Sequence, residues 1–331
     1  MATPRYFVDA DADPSALAGQ QVAVVGYGNL GRPAALNLRD AGVDVIVASR
    51  PDPSADTARA DGFEVRDVDE ALASADVVWL ALPDEVLPQL LDPATGHQPK
   101  TGALVVVSSG YCLAYDLVKL PDDVDVGLLA PRMIGGRIRQ RVLDGDGFSS
   151  FVSVEHDATG TAGARLLAVA RAFGALRRPA FEIPAATEAA LDLFVEQTVG
   201  PELGAAVLSA FEVGTAHGLP PEALALELYL SGEMGATWTA FAEHGFFPGV
   251  RLHGHAAAFG GFIRMADLDT DGQKQRFAAT LHDITSGAFA ARFQQELDAG
   301  SPTRQAIEAM IAGDDPLSAA EARVRKAADG S

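Results

Sequence analysis

The chain has 331 residues, 48% of them hydrophobic, which is enough to bury a sizeable core and to form two domains. Its 45 acidic against 25 basic side chains give a net charge of −20, which excludes nucleic acid and anionic membrane as partners, since both select basic surfaces. Cys112 is the single cysteine; it excludes an internal disulfide and fits a reducing cytoplasm.

Residues 1–20 read as a mobile lead-in: they carry the acidic run DADADP and no apolar stretch that would make a signal peptide. No run further on has the length and apolarity of a transmembrane helix. From Gln21 short β-branched runs alternate with helical stretches. The predicted strands are VAVVG (22–26), VDVIVAS (43–49), DVVWLAL (76–82), ALVVVSS (103–109), VDVGLLA (124–130) and SFVSV (150–154). Runs this apolar, separated by helices, predict a doubly wound parallel sheet of the Rossmann type over 21–182. Beyond Glu182 the strand signals stop. Helices are expected at 185–216, 221–244, 270–298 and 301–325, with Gly-rich breaks near 245–261, so 183–331 reads as an all-α domain for substrate binding and dimerisation.

The first strand runs into Gly26-Tyr27-Gly28-Asn29-Leu30-Gly31, a G-x-G-x-x-G turn followed by a helix. Glycines there permit a tight turn and close backbone approach to a pyrophosphate, which the helix N-terminus attracts. The second strand ends in Ser49-Arg50 rather than in an acid for a ribose 2′-hydroxyl. Ser49, Arg50 and Ser54 suit a 2′-phosphate and hence NADPH, whereas Asp52 and Asp56 in the same loop oppose it and keep NADH open. Leu82 and Pro83, at the end of the third strand, complete the expected cofactor cleft.

At the start of the helical half, Glu188, Asp192 and Glu196 recur every four residues within TEAALDLFVEQ. That spacing aligns three carboxylates on one helix face, among Ala189, Leu191 and Phe194. Such a stripe needs cations, protons or metal if it is buried; the plainer reading is an exposed acidic face.

Taken in order, VAVVGYGNLGRPAALNLRDAGVDVIVASR, ADVVWLALPDEV, VDVGLLAPR and TEAALDLFVEQTV resemble ketol-acid reductoisomerase, and the resemblance extends from about residue 20 to 310 through ITSGAFAARFQQELDAG (284–300). Members of that family isomerise and reduce acetohydroxy acids with NADPH and a pair of magnesium ions, in a dimer whose helical domains are knotted and intertwined. The resemblance implies a small-molecule substrate and a homodimer, and it carries the magnesium carboxylates onto Asp192 and Glu196. A second metal-binding pair, at i and i+4 on the next helix, falls on Tyr229 and Glu233, so tyrosine replaces one acid. A serine ligand falls near Gly254, between His253 and His255. The family's histidine in A-H-G-F becomes Ser109, the lysine of A-P-K-G-P-G-H becomes Arg132, and the histidine of that segment becomes Gly136.

These departures gather where the chemistry happens. Alkyl migration asks for metals that hold a hydroxy-ketone, whereas hydride transfer to C=O or C=N asks only for a polarised acceptor and a proton donor. The pattern implies a reductase of a small carbonyl or imine acid without the migration step, with Asp192, Glu196, Glu233, Ser109, Arg132 and Tyr229 as candidate catalytic residues. Without metal, Glu196 is the expected proton donor, and Glu188 receives no role. The alternatives are a true reductoisomerase with an altered metal shell and a catalytically silent nucleotide sensor or subunit.

Overall fold

A computed structural model describes residues 4–92, 94, 96–249, 254–313 and 315–328, so His253 lies outside the described residues. The chain divides into two compact units, Met1–Asp192 and Leu193–Ser331.

The first unit is built on strands β1 (Tyr6–Phe7), β2 (Gln21–Val25), β3 (Asp44–Ala48), β4 (Val65–Arg66), β5 (Val77–Leu80), β6 (Leu104–Val107), β7 (Asp125–Pro131), β8 (Ser150–His156) and β9 (Ala180–Glu182). Among the described residues they form one sheet in the order β1-β9-β8-β7-β6-β5-β2-β3-β4. Strands β2 to β7 pair in parallel, as do β8 and β9. Val22, Val24, Val77, Trp79, Leu104 and Val106 on one face, and Ala23, Val78 and Val105 on the other, are fully buried, which is why these strands are apolar on both faces. Order reverses between β2 and β5, and in a doubly wound sheet the crevice for a ligand opens at that point, beyond the strands' C-terminal ends.

The helices of this unit are α1 (Gly31–Asp40), α2 (Pro53–Ala60), α3 (Val68–Ser74), α4 (Leu87–Leu90), α5 (Tyr111–Ala114), α6 (Gly135–Leu143) and α7 (Ala162–Phe173). The parallel sheet expected from the sequence has two antiparallel pairings, β7 with β8 and β1 with β9. Pro131, at the end of β7, pairs with Ser150, at the start of β8. The chain between them therefore returns at the same end of the sheet, and α6 packs against α1 instead of crossing over to make a parallel strand. Residues 4–20 of the N-terminal lead-in pack onto the first unit, contrary to expectation. Phe7 is buried in β1, the Asp9 backbone N–H donates to Leu176 O at 3.1 Å, and Arg171 Nη1 donates to Ala12 O at 2.8 Å.

Helix α8 (Ala185–Ala216) spans both units. The second unit continues with α9 (Pro221–Ala225), a π-helical turn (Leu226–Leu230), α10 (Glu233–His244), α11 (Phe246–Gly249), α12 (His255–Ala266), α13 (Thr270–Thr285), α14 (Ala288–Asp298), α15 (Pro302–Ile311) and α16 (Pro316–Ala328). The segment expected at 221–244 is broken at Ser231-Gly232, and the one at 270–298 at Ser286-Gly287. Gly232 and Gly287 each adopt a φ of 80°, which stops a right-handed helix. Conversely, the Gly-rich stretch near 245–261 holds most of α12. Phe194 on α8 meets Phe277 on α13 edge-on at 6.1 Å. No helix among the described residues is long and apolar enough to cross a membrane.

Candidate active site

The cofactor cleft starts where β2 ends. Gly26 adopts a φ of +94°, and a Cβ there would lie 2.7 Å from the Ala81 carbonyl oxygen, so the turn demands glycine. A Cβ on Gly31 would come within 2.0 Å of Gly26 O, which lets α1 begin hard against the turn. Beyond them opens a cleft of about 280 Å³, bordered by Gly26, Gly28, Ser49, Arg50, Leu82 and Pro83, with Tyr27 and Ser54 on the same wall. The Tyr27 hydroxyl donates to Asp61 Oδ2 at 2.8 Å, and Arg32 Nε donates to the same oxygen at 2.7 Å. Asp52 is occupied as the N-cap of α2, accepting from Ser54 N at 2.9 Å and Ala55 N at 3.1 Å. Asn29 borders a neighbouring hollow with Gly135, and Leu30 packs on the core. An open glycine turn at the switch point, a helix N-terminus and a serine–arginine rim fit a dinucleotide.

Beside this cleft the first unit gathers charge over the ends of β5, β6 and β7. Arg132, one residue past β7, donates from Nη1 to Asp192 Oδ1 at 2.5 Å and from Nη2 to Glu188 Oε1 at 3.1 Å, while its guanidinium sits 5.1 Å from the Phe151 ring. Glu188, only 1% exposed, also accepts from Gly110 N at 2.7 Å. Gly110 has no room for a side chain, because a Cβ would meet Ala185 O at 2.1 Å; α8 therefore starts directly on the β6–α5 turn. In that turn Ser108 Oγ accepts from Trp79 Nε1 at 2.7 Å, a core contact, whereas Ser109 Oγ donates to Asp84 Oδ2 at 3.0 Å.

Burial pushes the Glu188 carboxyl up to about 7, against the opposing pull of Gly110 N–H and Arg132. It likewise pushes Asp84 up to about 6, where the Ser109 hydrogen bond opposes it and Glu85 and Asp192 add repulsion. Cys112 is driven to about 12 by burial and by Asp84, so it is an inert thiol rather than a nucleophile. Glu188 was thus missed in the sequence although it is the buried member of the stripe, and Asp84 was missed altogether. The nearest signal for Glu188 was its place in the helix's first turn. The expected proton donor, Glu196, lies one turn beyond Asp192 and is exposed.

A pH dependence follows. Folded Glu188 holds a proton that the unfolded chain releases between its usual 4.5 and about 7, so stability falls as pH rises through that window, by roughly 3 kcal/mol at most. Melting temperature should therefore drop from about pH 5 to about pH 8, and Glu188→Gln, which keeps an acceptor for Gly110, should make the drop smaller, leaving the share that Asp84 contributes up to about pH 6. Parallel thermal scans of both proteins across this range check it; equal slopes would refute it.

The remaining candidates lie in the second unit. Tyr229 sits in the π-helical turn and its hydroxyl donates to Glu321. Glu233 begins α10 beyond the Gly232 break and is exposed, so the i, i+4 face the resemblance implied for this pair is not formed. Gly254 caps α12 and His255 opens it. As donors for magnesium, Asp192 and Glu196 stand one turn apart on α8, but Asp192 is already neutralised by Arg132. Among the described residues no group of three or more His, Cys, Asp or Glu side chains could hold a metal. This donor set fits a two-magnesium centre poorly.

A doubly wound sheet with a dinucleotide cleft at its switch point, followed by a helical region, defines an NAD(P)-dependent oxidoreductase. Residues 16–178 match the family model of the acetohydroxy acid isomeroreductase NADPH-binding domain, and residues 186–329 match that of the ketol-acid reductoisomerase C-terminal domain. The chain belongs to the ketol-acid reductoisomerase family. It is 36% identical over 299 residues to ketol-acid reductoisomerase (NADP(+)) of Caldivirga maquilingensis, covering 89% of this chain and 90% of that one. A relative from Saccharolobus solfataricus is 34% identical over 302 residues, 90% of each chain. The solved structure of an NADH-preferring ketol-acid reductoisomerase from an uncultured archean superposes with a TM-score of 0.92 at 28% identity, covering 97% of this chain and 98% of that one.

Proposed function

We propose that this chain reduces a small 2-oxo acid or cyclic imino acid by hydride transfer, without alkyl migration. The observation that carries this reading is Arg132 bound to both Asp192 and Glu188. A guanidinium placed among the stripe's carboxylates supplies the positive charge that a metal would supply, and its planar fork suits the substrate's carboxylate. Residues 21–182 are read as the nucleotide-binding domain and 183–331 as the substrate and dimerisation domain.

Bound in the cleft, the reduced nicotinamide supplies the hydride to the carbonyl or imine carbon. The chain's own residues do the rest. The Gly26–Gly31 turn and the start of α1 would hold the pyrophosphate, and Leu82 and Pro83 border the same cleft. Arg132 exchanges its Asp192 partner for the substrate carboxylate, while buried Glu188 stays as its anchor. Ser109, at the turn after β6, hydrogen-bonds the atom that gains charge as the hydride arrives. Glu196, one turn beyond Asp192 on α8, is the further candidate for the proton donor.

NADPH is the assigned nucleotide. Arg50 and Ser49 border the cleft; of the two acids that oppose a 2′-phosphate, Asp52 borders the cleft too but is engaged as the N-cap of α2, and Asp56 pairs with Arg59. Arg50→Ala should raise the NADPH KM by roughly tenfold and leave the NADH KM nearly unchanged, as expected when one charge-assisted contact is lost; an equal change for both nucleotides would count against it. A homodimer with intertwined helices is proposed as well, supported by Trp238, Phe247, Phe259 and Phe262, which one chain leaves exposed; light scattering at a monomer mass would exclude it.

Full isomerisation and reduction of acetohydroxy acids is the second reading, favoured by similarity over the whole chain to proteins named for that activity. NADPH oxidation with a panel of 2-oxo acids and cyclic imines, in EDTA and in Mg²⁺, tests the first. Turnover of a simple acceptor in EDTA supports it, and turnover of acetolactate alone, only with Mg²⁺, replaces it with the second.

A further inference from the structure

Asp84 has no part in binding nucleotide or anchoring Arg132, yet it is tied to Ser109. It follows Pro83, two residues from the cleft wall at Leu82, and its Oδ2 takes the Ser109 hydroxyl proton at 3.0 Å. Ser109 Oγ in turn accepts from the Tyr111 backbone N–H at 3.2 Å. A hydroxyl has one proton and two lone pairs. With the proton given to Asp84 and one lone pair taken by Tyr111, Ser109 can offer a ligand only its second lone pair.

We propose that Asp84 is a positioning residue that sets the polarity of the Ser109 hydroxyl: as a carboxylate it leaves Ser109 an acceptor, and as a carboxylic acid it donates to Ser109 and frees the Ser109 proton for the substrate oxygen or nitrogen. The inference rests on Ser109 facing the hydride acceptor, as assigned above. Its consequence is that the site polarises a carbonyl only in the acid form of Asp84, and prefers ligands with a hydroxyl or N–H donor in the carboxylate form.

The surroundings hold the two forms close in energy. Glu85 adjoins Asp84 on its own segment, and Asp192 repels it from α8. Glu188 and Tyr111 feel its charge in turn. The Cys112 thiol donates to the Asp84 backbone oxygen at 3.2 Å and lies 3.9 Å from its Oδ1. Burial and two acidic neighbours, Glu85 and Asp192, favour the acid form, and the hydrogen bonds from Ser109 and Cys112 favour the carboxylate. The transition lies near 6, within reach of neutral pH.

Two readouts test this, and one needs no turnover. In ¹³C-Asp-labelled protein the carboxyl resonance lost in Asp84→Asn should titrate near 6. In Ser109→Ala its midpoint should move upward, because the hydrogen bond that favours the carboxylate is gone. An unmoved midpoint overturns the coupling, even if the protein reduces no acceptor tested. The second readout is the ratio of kcat/KM between about pH 5 and about pH 8. In the unaltered enzyme it should exceed that of Asp84→Asn by roughly a hundredfold, the fall in the acid fraction between those pH values for a midpoint near 6, since the side-chain amide of that variant donates to Ser109 at every pH. Equal ratios overturn the switch and assign Asp84 a structural role; any fall with pH that survives in Asp84→Asn belongs to Glu188. Absence of turnover by the unaltered enzyme refutes the proposed function and leaves the titration to decide the coupling.

Discussion

Replacing Arg132 with methionine is expected to lower kcat/KM for the reduction by roughly 10²–10³-fold while leaving the NADPH dissociation constant within about twofold. The magnitude is that of removing one hydrogen-bonded charge from a partly buried pair, about 3–4 kcal/mol at 1.4 kcal/mol per tenfold. Methionine fills much of the arginine stem's volume, so packing on Phe151 survives and the loss reports the guanidinium. Glu188 would lose its cation but keep the Gly110 N–H, and it would remain protonated to higher pH instead of standing as a bare buried charge. Steady-state kinetics beside a fluorescence titration of NADPH separate the effects. Weakened nucleotide binding with unchanged turnover would move Arg132 out of the substrate site.

Gly26→Ala should act on the other half of the site. A side chain at a φ of +94° is strained, and its Cβ would press on the Ala81 backbone oxygen, which cannot move without shifting β5 relative to β2. The expected cost is about 3 kcal/mol of stability and a loss of NADPH affinity of at least ~100-fold. Thermal denaturation and NADPH titration check both together. A variant that melts like the unaltered protein and binds NADPH normally would show that the turn is not the pyrophosphate cradle.

Much of the first unit was legible. Six apolar runs became β2, β3, β5, β6, β7 and β8, because a strand buried on both faces carries its signal in every residue. Strands β1, β4 and β9 escaped notice: at two or three residues each, they are set by their neighbours rather than by their own pattern. In the second unit, periodicity foresaw the whole of α8 but not the interruptions at Gly232 and Gly287, and those decide which residues share a face. Tyr229 and Glu233 have the right spacing in the sequence and the wrong backbone between them.

In the site, the distinction between neighbouring residues was invisible to spacing. Ser108 and Ser109 are adjacent and chemically identical, yet one serves Trp79 and the other Asp84. Glu188, Asp192 and Glu196 form one periodic stripe, but only Glu188 is sealed from water, because α8 lands on Gly110 at its first turn. Asp192 was foreseen as a magnesium ligand, and its closest partner is the Arg132 guanidinium. Which carboxylate is buried depends on where the helix meets the sheet, a tertiary fact no local pattern holds.

The central claim, reduction without migration, is tested most directly by offering two isomers side by side with NADPH and Mg²⁺. One is acetolactate, and the other is the 3-hydroxy-2-oxo acid that methyl migration in acetolactate would produce. Only the first requires carbon–carbon rearrangement; both end in the same hydride transfer. Steady oxidation of NADPH by the rearranged isomer, with acetolactate inert, is the predicted result. Oxidation by acetolactate at a rate comparable to its isomer would contradict it and make this chain a complete reductoisomerase.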